Sequence, residues 1–249
     1  VLALASLDAP PDLGGLRPWK GLDTVVHAAA DTSLALTVDQ AWATNVVGTQ
    51  NAWNWAVAGG ARRFDHISTL SVWVAAQTPP GVLLETDALD QAGRVWGGYA
   101  ASKWAAEAWL AGRSAGPSVA VHRLGLISHS AGEGWAPLDP LALTARAWAR
   151  WGRPPWLAPR SSEKVDWSPV EHTVAGVLAV ARAGAVGPFH WASRQAIPAS
   201  AWLEALERRF GTSPGDWPPD DGLGRAARRA FGRWSHPERA RRLWWHDAF

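Results

Sequence analysis

Residues 98–104 read Gly-Tyr-Ala-Ala-Ser-Lys-Trp, and the alanine-rich run after them has high helix propensity. Gly97 and Gly98 favour a flexible entry into that helix. Residues four positions apart lie on one helix face, so the Tyr99 phenol and the Lys103 ammonium would be neighbours. We expect Lys103 to lower the pKa of Tyr99 towards the range of an acid–base catalyst, because a nearby cation favours the phenolate. Exposed tyrosine and solvated lysine pairs show the same spacing, so the rest of the chain must decide between the two interpretations.

The composition predicts a folded α/β protein. The chain has 249 residues, of which 47% are hydrophobic and 18% are charged, with a net charge of +2. It has 19 Trp but one Tyr, and no Cys, which excludes disulfides, thiolate metal sites and cysteine nucleophiles. Nothing resembles a signal peptide or a membrane-spanning run, so we expect a cytoplasmic protein that contacts no membrane.

Short apolar runs alternate with segments of helical periodicity. Strands are predicted at 1–6, 23–30, 63–67, 118–124 and 188–192, and helices at 37–58, from Tyr99 onward, at 138–151, 170–182 and 199–210. This alternation predicts a doubly wound parallel, Rossmann-like sheet over residues 1–195. Residues 196–249 are predicted to form a small helical subdomain that faces the substrate.

Three predicted strands end in distinctive residues. These are His27-Ala28-Ala29-Ala30, Ser68-Thr69 and Leu124-Gly125-Leu126-Ile127. Ligands of such sheets bind outside the carboxyl ends of the strands. The alanines would let a nucleotide approach the backbone, and the Thr69 hydroxyl could hold a substrate carbonyl oxygen. Ordinary packing and turn formation would account for the same residues.

The chain resembles the extended short-chain dehydrogenase/reductases, and among them the thioester reductase domains of peptide and polyketide synthases and of carboxylic acid reductases. The resemblance covers residues 1 to about 210. It is carried by Val25-Val-His-Ala-Ala-Ala30, Asn45-Val-Val-Gly-Thr49, His66-Ile-Ser-Thr-Leu-Ser-Val72, Gly98-Tyr-Ala-Ala-Ser-Lys-Trp104, Arg123-Leu-Gly-Leu-Ile127 and Val165-Asp-Trp-Ser-Pro-Val170. Leu124 departs from the pattern, because the family usually has proline there.

The resemblance implies a catalytic triad of Thr69, Tyr99 and Lys103. Tyr99 would donate a proton to the reduced carbonyl, Lys103 would lower the pKa of that phenol and bind the nicotinamide ribose, and Thr69 would hold the carbonyl oxygen. The implied cofactor is NADPH, with NADH as the alternative, and no metal is implied. Its implied contacts, besides Tyr99 and Lys103, are Asp8 at the adenine, His27, Ala28, Ala29, Ala30, Ser68, Leu124, Gly125, Leu126 and Ile127.

The implied reaction reduces an acyl or peptidyl thioester to an aldehyde, or further to the alcohol. The implied partner in secondary metabolism is a phosphopantetheinylated acyl or peptidyl carrier protein, and no nucleic acid is implied. The arginines from Arg208 onward would suit an acidic carrier, although a solvated basic helix is the more common explanation. Two alternatives stay open: another extended family member, such as a nucleotide-sugar epimerase or a steroid-type reductase, and a non-enzymatic relative without the cofactor half.

The glycine-rich turn with which that family begins has no counterpart before the first predicted strand. Such a turn binds the pyrophosphate through backbone N–H groups at a helix N-terminus. We therefore expect a sequence cut short at its N-terminus, a sheet that lacks its first βαβ unit, and weak NADPH binding by this chain alone. The Val1–Ser6 run is expected to be loosely placed or shifted into the neighbouring strand position.

Overall fold

The structure is a computed structural model that describes residues 21–33, 36–73, 82–90, 95, 97–128, 130, 145–146, 148–150, 152, 164–193 and 196–212. The predicted strand at 1–6, Asp8 and the arginines beyond Arg209 lie outside these residues. The described residues form two compact units. The first unit holds those up to Leu124 and those from Gly176 to Trp191, and the second holds those from Gly125 to Ala175 and from Ala192 onward.

The first unit is built on a parallel sheet of four described strands. In chain order, β1 spans Thr24–His27, β2 spans Arg63–Thr69, β3 spans Ser118–Leu124 and β7 spans Gly187–Trp191, and they lie side by side in that same order. The register pairs His27 with His66 and Thr69 with Leu124. All four strands are parallel, so their carboxyl ends share one edge. The predicted parallel α/β fold is therefore confirmed, with the observed strands within a few residues of the predicted ones.

The helix predicted at 37–58 forms in three parts. α1 spans Val38–Trp42, a π-helical segment spans Ala43–Val47 and α2 spans Gly48–Ala58. A capping box between Thr37 and Gln40 starts α1. The π-helical segment inserts an extra residue into the helical repeat, which periodicity alone could not predict.

Helix α3 spans Gly98–Ala111 and carries the Tyr99–Lys103 motif. A Cβ at Gly98 would lie 2.3 Å from the carbonyl oxygen of Leu36 and 2.4 Å from the carbonyl carbon of Thr37. Gly98 is therefore required by the close approach of the α3 N-terminus to the start of α1, and not by the flexible entry that the sequence suggested.

Helices α2 and α3 pack against the sheet through one apolar cluster. It joins Trp53 and Ala56 of α2, Phe64 of β2 and Leu110 of α3. The Trp53 and Phe64 rings meet edge to face at 5.5 Å. Because strand side chains alternate, His66 and Ser68 share a sheet face with Phe64 and lie on the side of α3.

A second buried network involves the alternate side chains of β2 and β3. The Arg63 guanidinium donates to both Asp65 carboxylate oxygens at 2.6 and 2.8 Å, and Asp65 Oδ1 lies 2.7 Å from His122 Nε2. His122 Nδ1 accepts from Trp191 Nε1 at 3.1 Å. His122 therefore donates from Nε2 to Asp65, which fixes the ring as the Nε2–H tautomer.

The second unit contains short described strands besides its helices. β4 (Leu126–Ser128) pairs in parallel with β6 (Trp167–Pro169), and β5 (Lys164–Val165) pairs with β8 (Ile197–Pro198). Between β5 and β6, Asp166 Oδ1 accepts the Ser193 backbone N–H at 2.6 Å.

Two predicted helices form almost as expected. α4 spans Val170–Ala183, beginning in the second unit and ending in the first, and α5 spans Ala199–Phe210 in the second unit. The described part of the helix predicted at 138–151 is helical at residues 145–146 and 148–150. Within the described residues, no helix combines the length and apolar character needed to cross a bilayer. The boundary predicted at 195/196 stays a prediction.

Candidate active site

The side chains of Thr69 and Tyr99 meet at the carboxyl end of β2. Thr69 is the last residue of β2, and Tyr99 lies in the first turn of α3. The Thr69 hydroxyl hydrogen-bonds the half-buried Tyr99 phenol and lowers the pKa of that phenol, but burial outweighs this bond and raises it above the usual 10. The expectation that Lys103 lowers the pKa of Tyr99 is therefore wrong for this structure. Loss of hydration disfavours the phenolate more than the neighbouring groups favour it.

Lys103 lies one helical turn after Tyr99, on the same face of α3, and is only 2% exposed. Burial lowers the pKa of its ammonium to about 8, and the neighbouring Glu107 carboxylate acts in the opposite direction. A lysine that titrates near neutral pH can release or accept a proton during turnover.

Glu107 is the next residue on that face, four positions after Lys103, and is also 2% exposed. Its Oε1 accepts a short hydrogen bond from the Ser68 hydroxyl. Its Oε2 accepts from Arg123 Nε and from Arg123 Nη2, both at 2.9 Å. Ser68 therefore holds a buried carboxylate, and the cofactor contact expected for it stays a prediction.

Arg123 extends this network to β7. Its Nη1 lies 3.1 Å from His190 Nε2, which Trp73 Nε1 also approaches at 3.4 Å. Since both neighbours are donors, His190 Nε2 is an acceptor and the ring is neutral. Burial and the Arg123 charge lower the pKa of His190, which agrees with this assignment.

Two buried histidines lie beside Lys103. The His27 and His66 rings stack with centroids 5.5 Å apart, and His27 Nε2 lies 3.1 Å from the Thr49 hydroxyl. Neither ring nitrogen of His66 has a hydrogen-bond partner among the described residues. Burial, helped by the Lys103 charge, lowers the pKa of His27 to about 4 and that of His66 well below 6.5. Both rings are therefore neutral at physiological pH.

Asn45, in the π-helical segment, connects the segment after β1 to α3. Its Oδ1 accepts from the Asp31 backbone N–H at 2.8 Å, and its Nδ2 donates to the Asp31 carbonyl at 3.0 Å and to the Ser102 hydroxyl at 2.9 Å. The Ser102 hydroxyl in turn donates to the Tyr99 carbonyl at 2.8 Å. Asn45 therefore has a structural role.

The remaining predicted cofactor contacts fall into three groups. Ala28 and Ala29 follow β1 directly and are exposed, and Ala30 is half-buried. Leu124 ends β3, whereas Gly125, Leu126 and Ile127 belong to the second unit. Asp8 lies outside the described residues.

No role was predicted for Glu107 or Arg123 from the sequence, although the position of each residue in the sequence is informative. Glu107 continues the spacing of four that joins Tyr99 to Lys103, and Arg123 is a charged residue near the end of β3. The spacing predicts three ionisable groups in a row on one helix face, and the strand places the balancing charge beside them.

The chain matches the NAD-binding family model described as male sterility protein over residues 16–177. No curated protein matches the sequence. Among solved structures, the terminal R domain from the myxalamid PKS-NRPS biosynthetic pathway is similar, with a TM-score of 0.72 and 22% identity. That alignment covers 100% of this chain and 63% of the R domain, so the chain spans less than two thirds of the length of that relative.

Other similar structures carry nicotinamide dinucleotides. RMD from Pseudomonas aeruginosa, complexed with NADPH, has a TM-score of 0.66 and 20% identity over 95% of this chain and 89% of its own. The UDP-glucose 4-epimerase of Thermus thermophilus, complexed with NAD, has a TM-score of 0.59 and 22% identity over 78% of this chain and 64% of its own. These likenesses show a Rossmann-like α/β fold. Since the family model covers more than half of the sequence, the chain belongs to the male sterility protein family of NAD-binding domains.

Proposed function

We propose that this protein uses NADPH to reduce a thioester on an acyl or peptidyl carrier protein to an aldehyde. The observation that carries the proposal is the position of three residues: Thr69 is the last residue of β2, Tyr99 lies in the first turn of α3, and Lys103 is buried one helical turn after Tyr99. These groups supply a proton donor, a second hydroxyl for the carbonyl oxygen, and a cation. A carbonyl reductase needs all three.

The described residues fit the nicotinamide end of such a cofactor. The edge after β1 carries only methyl side chains, at Ala28, Ala29 and Ala30, so a flat ring can lie against the backbone there. Tyr99 and Lys103 would hold the ribose beside it. When bound, the reduced cofactor supplies the hydride for the carbonyl carbon.

The chain's own residues control the proton. Because burial raises the pKa of Tyr99, the phenol is protonated at neutral pH, which is the state that a proton donor needs. Tyr99 Oη gives this proton to the carbonyl oxygen, while the Thr69 hydroxyl binds the same oxygen and orients it. The protonated product is a hemithioacetal, which expels the carrier thiol and leaves the aldehyde.

The carrier-bound thioester is preferred because the myxalamid R domain aligns with the whole of this chain. An epimerase is the second candidate, since a UDP-glucose 4-epimerase shares the fold. An epimerase must first oxidise its sugar, so its tyrosine has to accept a proton. A phenol with a raised pKa suits donation better than acceptance at neutral pH.

The test is turnover of an acyl-pantetheine thioester by the full-length natural protein with NADPH. We expect NADPH oxidation together with an aldehyde that can be trapped, and no interconversion of UDP-glucose and its 4-epimer. Tyr99→Phe should reduce kcat by about a hundredfold to ten-thousandfold. Conversion of the sugar nucleotide without thioester reduction would replace the proposal with the epimerase.

A further inference from the structure

Three ionisable side chains follow one another along one face of α3. Tyr99, Lys103 and Glu107 are spaced by four residues, and the last two are each only 2% exposed. The proposed chemistry uses the first two. Glu107 is a buried charge that this chemistry leaves without a role.

The Glu107 carboxylate is held from two strands. Ser68 of β2 donates to Oε1, and two nitrogens of Arg123 of β3 donate to Oε2 at 2.9 Å each. Every described contact is one in which the carboxylate accepts a hydrogen bond, as an ionised carboxylate must. With both oxygens held, the carboxylate has a fixed position one helical turn after Lys103 on α3. Burial raises the pKa of Glu107, and the Arg123 charge and the hydrogen bonds from Ser68 and Arg123 act in the opposite direction.

The other described groups around Lys103 do not supply a negative charge. His27 of β1 and His66 of β2 face the lysine and are neutral at physiological pH. The Tyr99 phenol on the same helix is protonated. Arg123 of β3 is a cation. Among the described groups that act on the Lys103 ammonium, Glu107 is therefore the anion that stabilises it.

We propose that Glu107 is a positioning residue, clamped by Ser68 and Arg123, that holds the Lys103 ammonium charged and directed along the face of α3 that bears Tyr99. It does not touch the substrate. The inference rests on the proposed function for its catalytic meaning, but its physical content concerns Lys103 alone. Without this anion, the buried ammonium loses its proton at lower pH.

The test uses the fact that the chain has only three lysines, Lys20, Lys103 and Lys164. In a Lys20→Arg, Lys164→Arg background labelled with lysine carrying ¹³C at Cε, a single NMR signal reports Lys103. We expect this signal to titrate with a pKa of about 8. Glu107→Gln keeps the shape and the acceptor oxygen but removes the charge, and should raise the acid dissociation constant of Lys103 about tenfold.

Two further variants separate the charge from a general effect of mutation. Glu107→Asp keeps the charge but shortens the side chain by one methylene. The acid dissociation constant of Lys103 in this variant should therefore lie between those in wild type and in Glu107→Gln. Glu204→Gln is the matched control, because Glu204 forms an exposed pair with Arg208 at the same helical spacing, and the Lys103 titration should not change.

An unchanged Lys103 titration in Glu107→Gln overturns the proposal. If that variant does not fold, an unchanged titration in Glu107→Asp overturns it instead. The measurement needs neither cofactor nor substrate. A protein without thioester reductase activity would therefore refute the proposed function and still leave the Lys103–Glu107 result readable.

Discussion

A side-chain hydrogen bond from Thr69, the last residue of β2, lowers the pKa of the phenol of Tyr99, which lies in the first turn of α3. This bond favours the phenolate, whereas burial favours the protonated phenol and outweighs it. The pKa of the Tyr99 phenol is therefore raised, and the Thr69 hydroxyl offsets part of that increase.

Thr69→Val should raise the pKa of Tyr99 further, because it removes the bond that favours the phenolate. Tyr99 is the single tyrosine of the chain, so the near-ultraviolet absorbance of the phenolate reports this group alone. We expect the wild-type midpoint to lie above 10 and the variant midpoint to lie higher still. Thr24→Val, on β1, serves as the control and should leave the midpoint unchanged; a lower midpoint in Thr69→Val would contradict the assignment.

Gly98→Ala should destabilise the first unit strongly. The new Cβ would lie 2.3 Å from the Leu36 carbonyl oxygen, and this backbone cannot move as a flexible side chain could. We expect a loss of about 3 kcal/mol or more in the free energy of unfolding, measured by urea denaturation. Gly112→Ala, at the C-terminus of the same helix, is the matched control because its Cβ would meet no described atom closer than 3.5 Å. Equal stability of the two variants would show that α3 does not approach α1 so closely.

Asp65→Asn should destabilise the protein, because it leaves the buried Arg63 guanidinium without its carboxylate. The expected loss is about 3–5 kcal/mol at neutral pH, measured by denaturant titration. The pKa of Asp65 is lowered: burial raises it, but hydrogen bonds from His122 and Arg63 outweigh burial. A lowered carboxylate pKa stabilises the folded state above the unfolded-state value of 3.8, and this contribution is lost as the pH falls through the folded-state value.

The difference between wild type and Asp65→Asn should therefore shrink in acid. Asp23→Asn is the control, since Asp23 pairs with Arg62 on the surface, where both side chains are exposed. Surface pairs contribute little to stability, so this variant should unfold like wild type. A difference for Asp65→Asn that persists unchanged into acid would show that the carboxylate charge is not its cause.

His66→Leu should make stability less dependent on pH. The pKa of His66 lies well below 6.5 because the ring is buried, and neither of its nitrogens has a hydrogen-bond partner in the described part of the chain. The unfolded state then binds the proton more readily, so the wild type loses stability as the pH falls below about 6.5. Between about pH 7 and 5, His66→Leu should lose less stability than the wild type, as measured by thermal unfolding at each pH.

His172→Leu provides the comparison for this effect, because His172 is an exposed histidine on α4. The stability of this variant should fall with decreasing pH as steeply as that of the wild type. If His66→Leu loses stability on acidification as steeply as wild type does, His66 is not among the groups that set the acid response.

The sequence predicted the framework because the framework depends on local signals. The helix at 199–210 and the strands around Thr24–His27 and Ser118–Leu124 follow from apolar periodicity and bounding glycines. The proximity of Tyr99 and Lys103 follows from helical spacing. Thr69 was predicted to act with them because of the family resemblance. These features need no knowledge of how distant segments pack.

The features that the sequence did not predict all depend on distant contacts. The direction of the Tyr99 pKa shift depends on burial under neighbouring elements, which spacing cannot measure. The hydrogen bond from Ser68 to Glu107 was not predicted, because Glu107 and its partner Arg123 come from two other elements. The π-helical segment at Ala43–Val47 accommodates Asn45, whose partners are Asp31 and Ser102.

This asparagine has a mechanical consequence. Asp31 comes directly after the alanines that follow β1, and Ser102 lies within the turn that begins at Tyr99. A displacement of the alanine segment is therefore transmitted to the helix through a rigid amide. Under the proposed function, the nicotinamide ring would lie on the alanine segment. Because Asn45 links that segment to α3, the position of Tyr99 relative to the ring would change less with thermal motion than if the two segments moved independently.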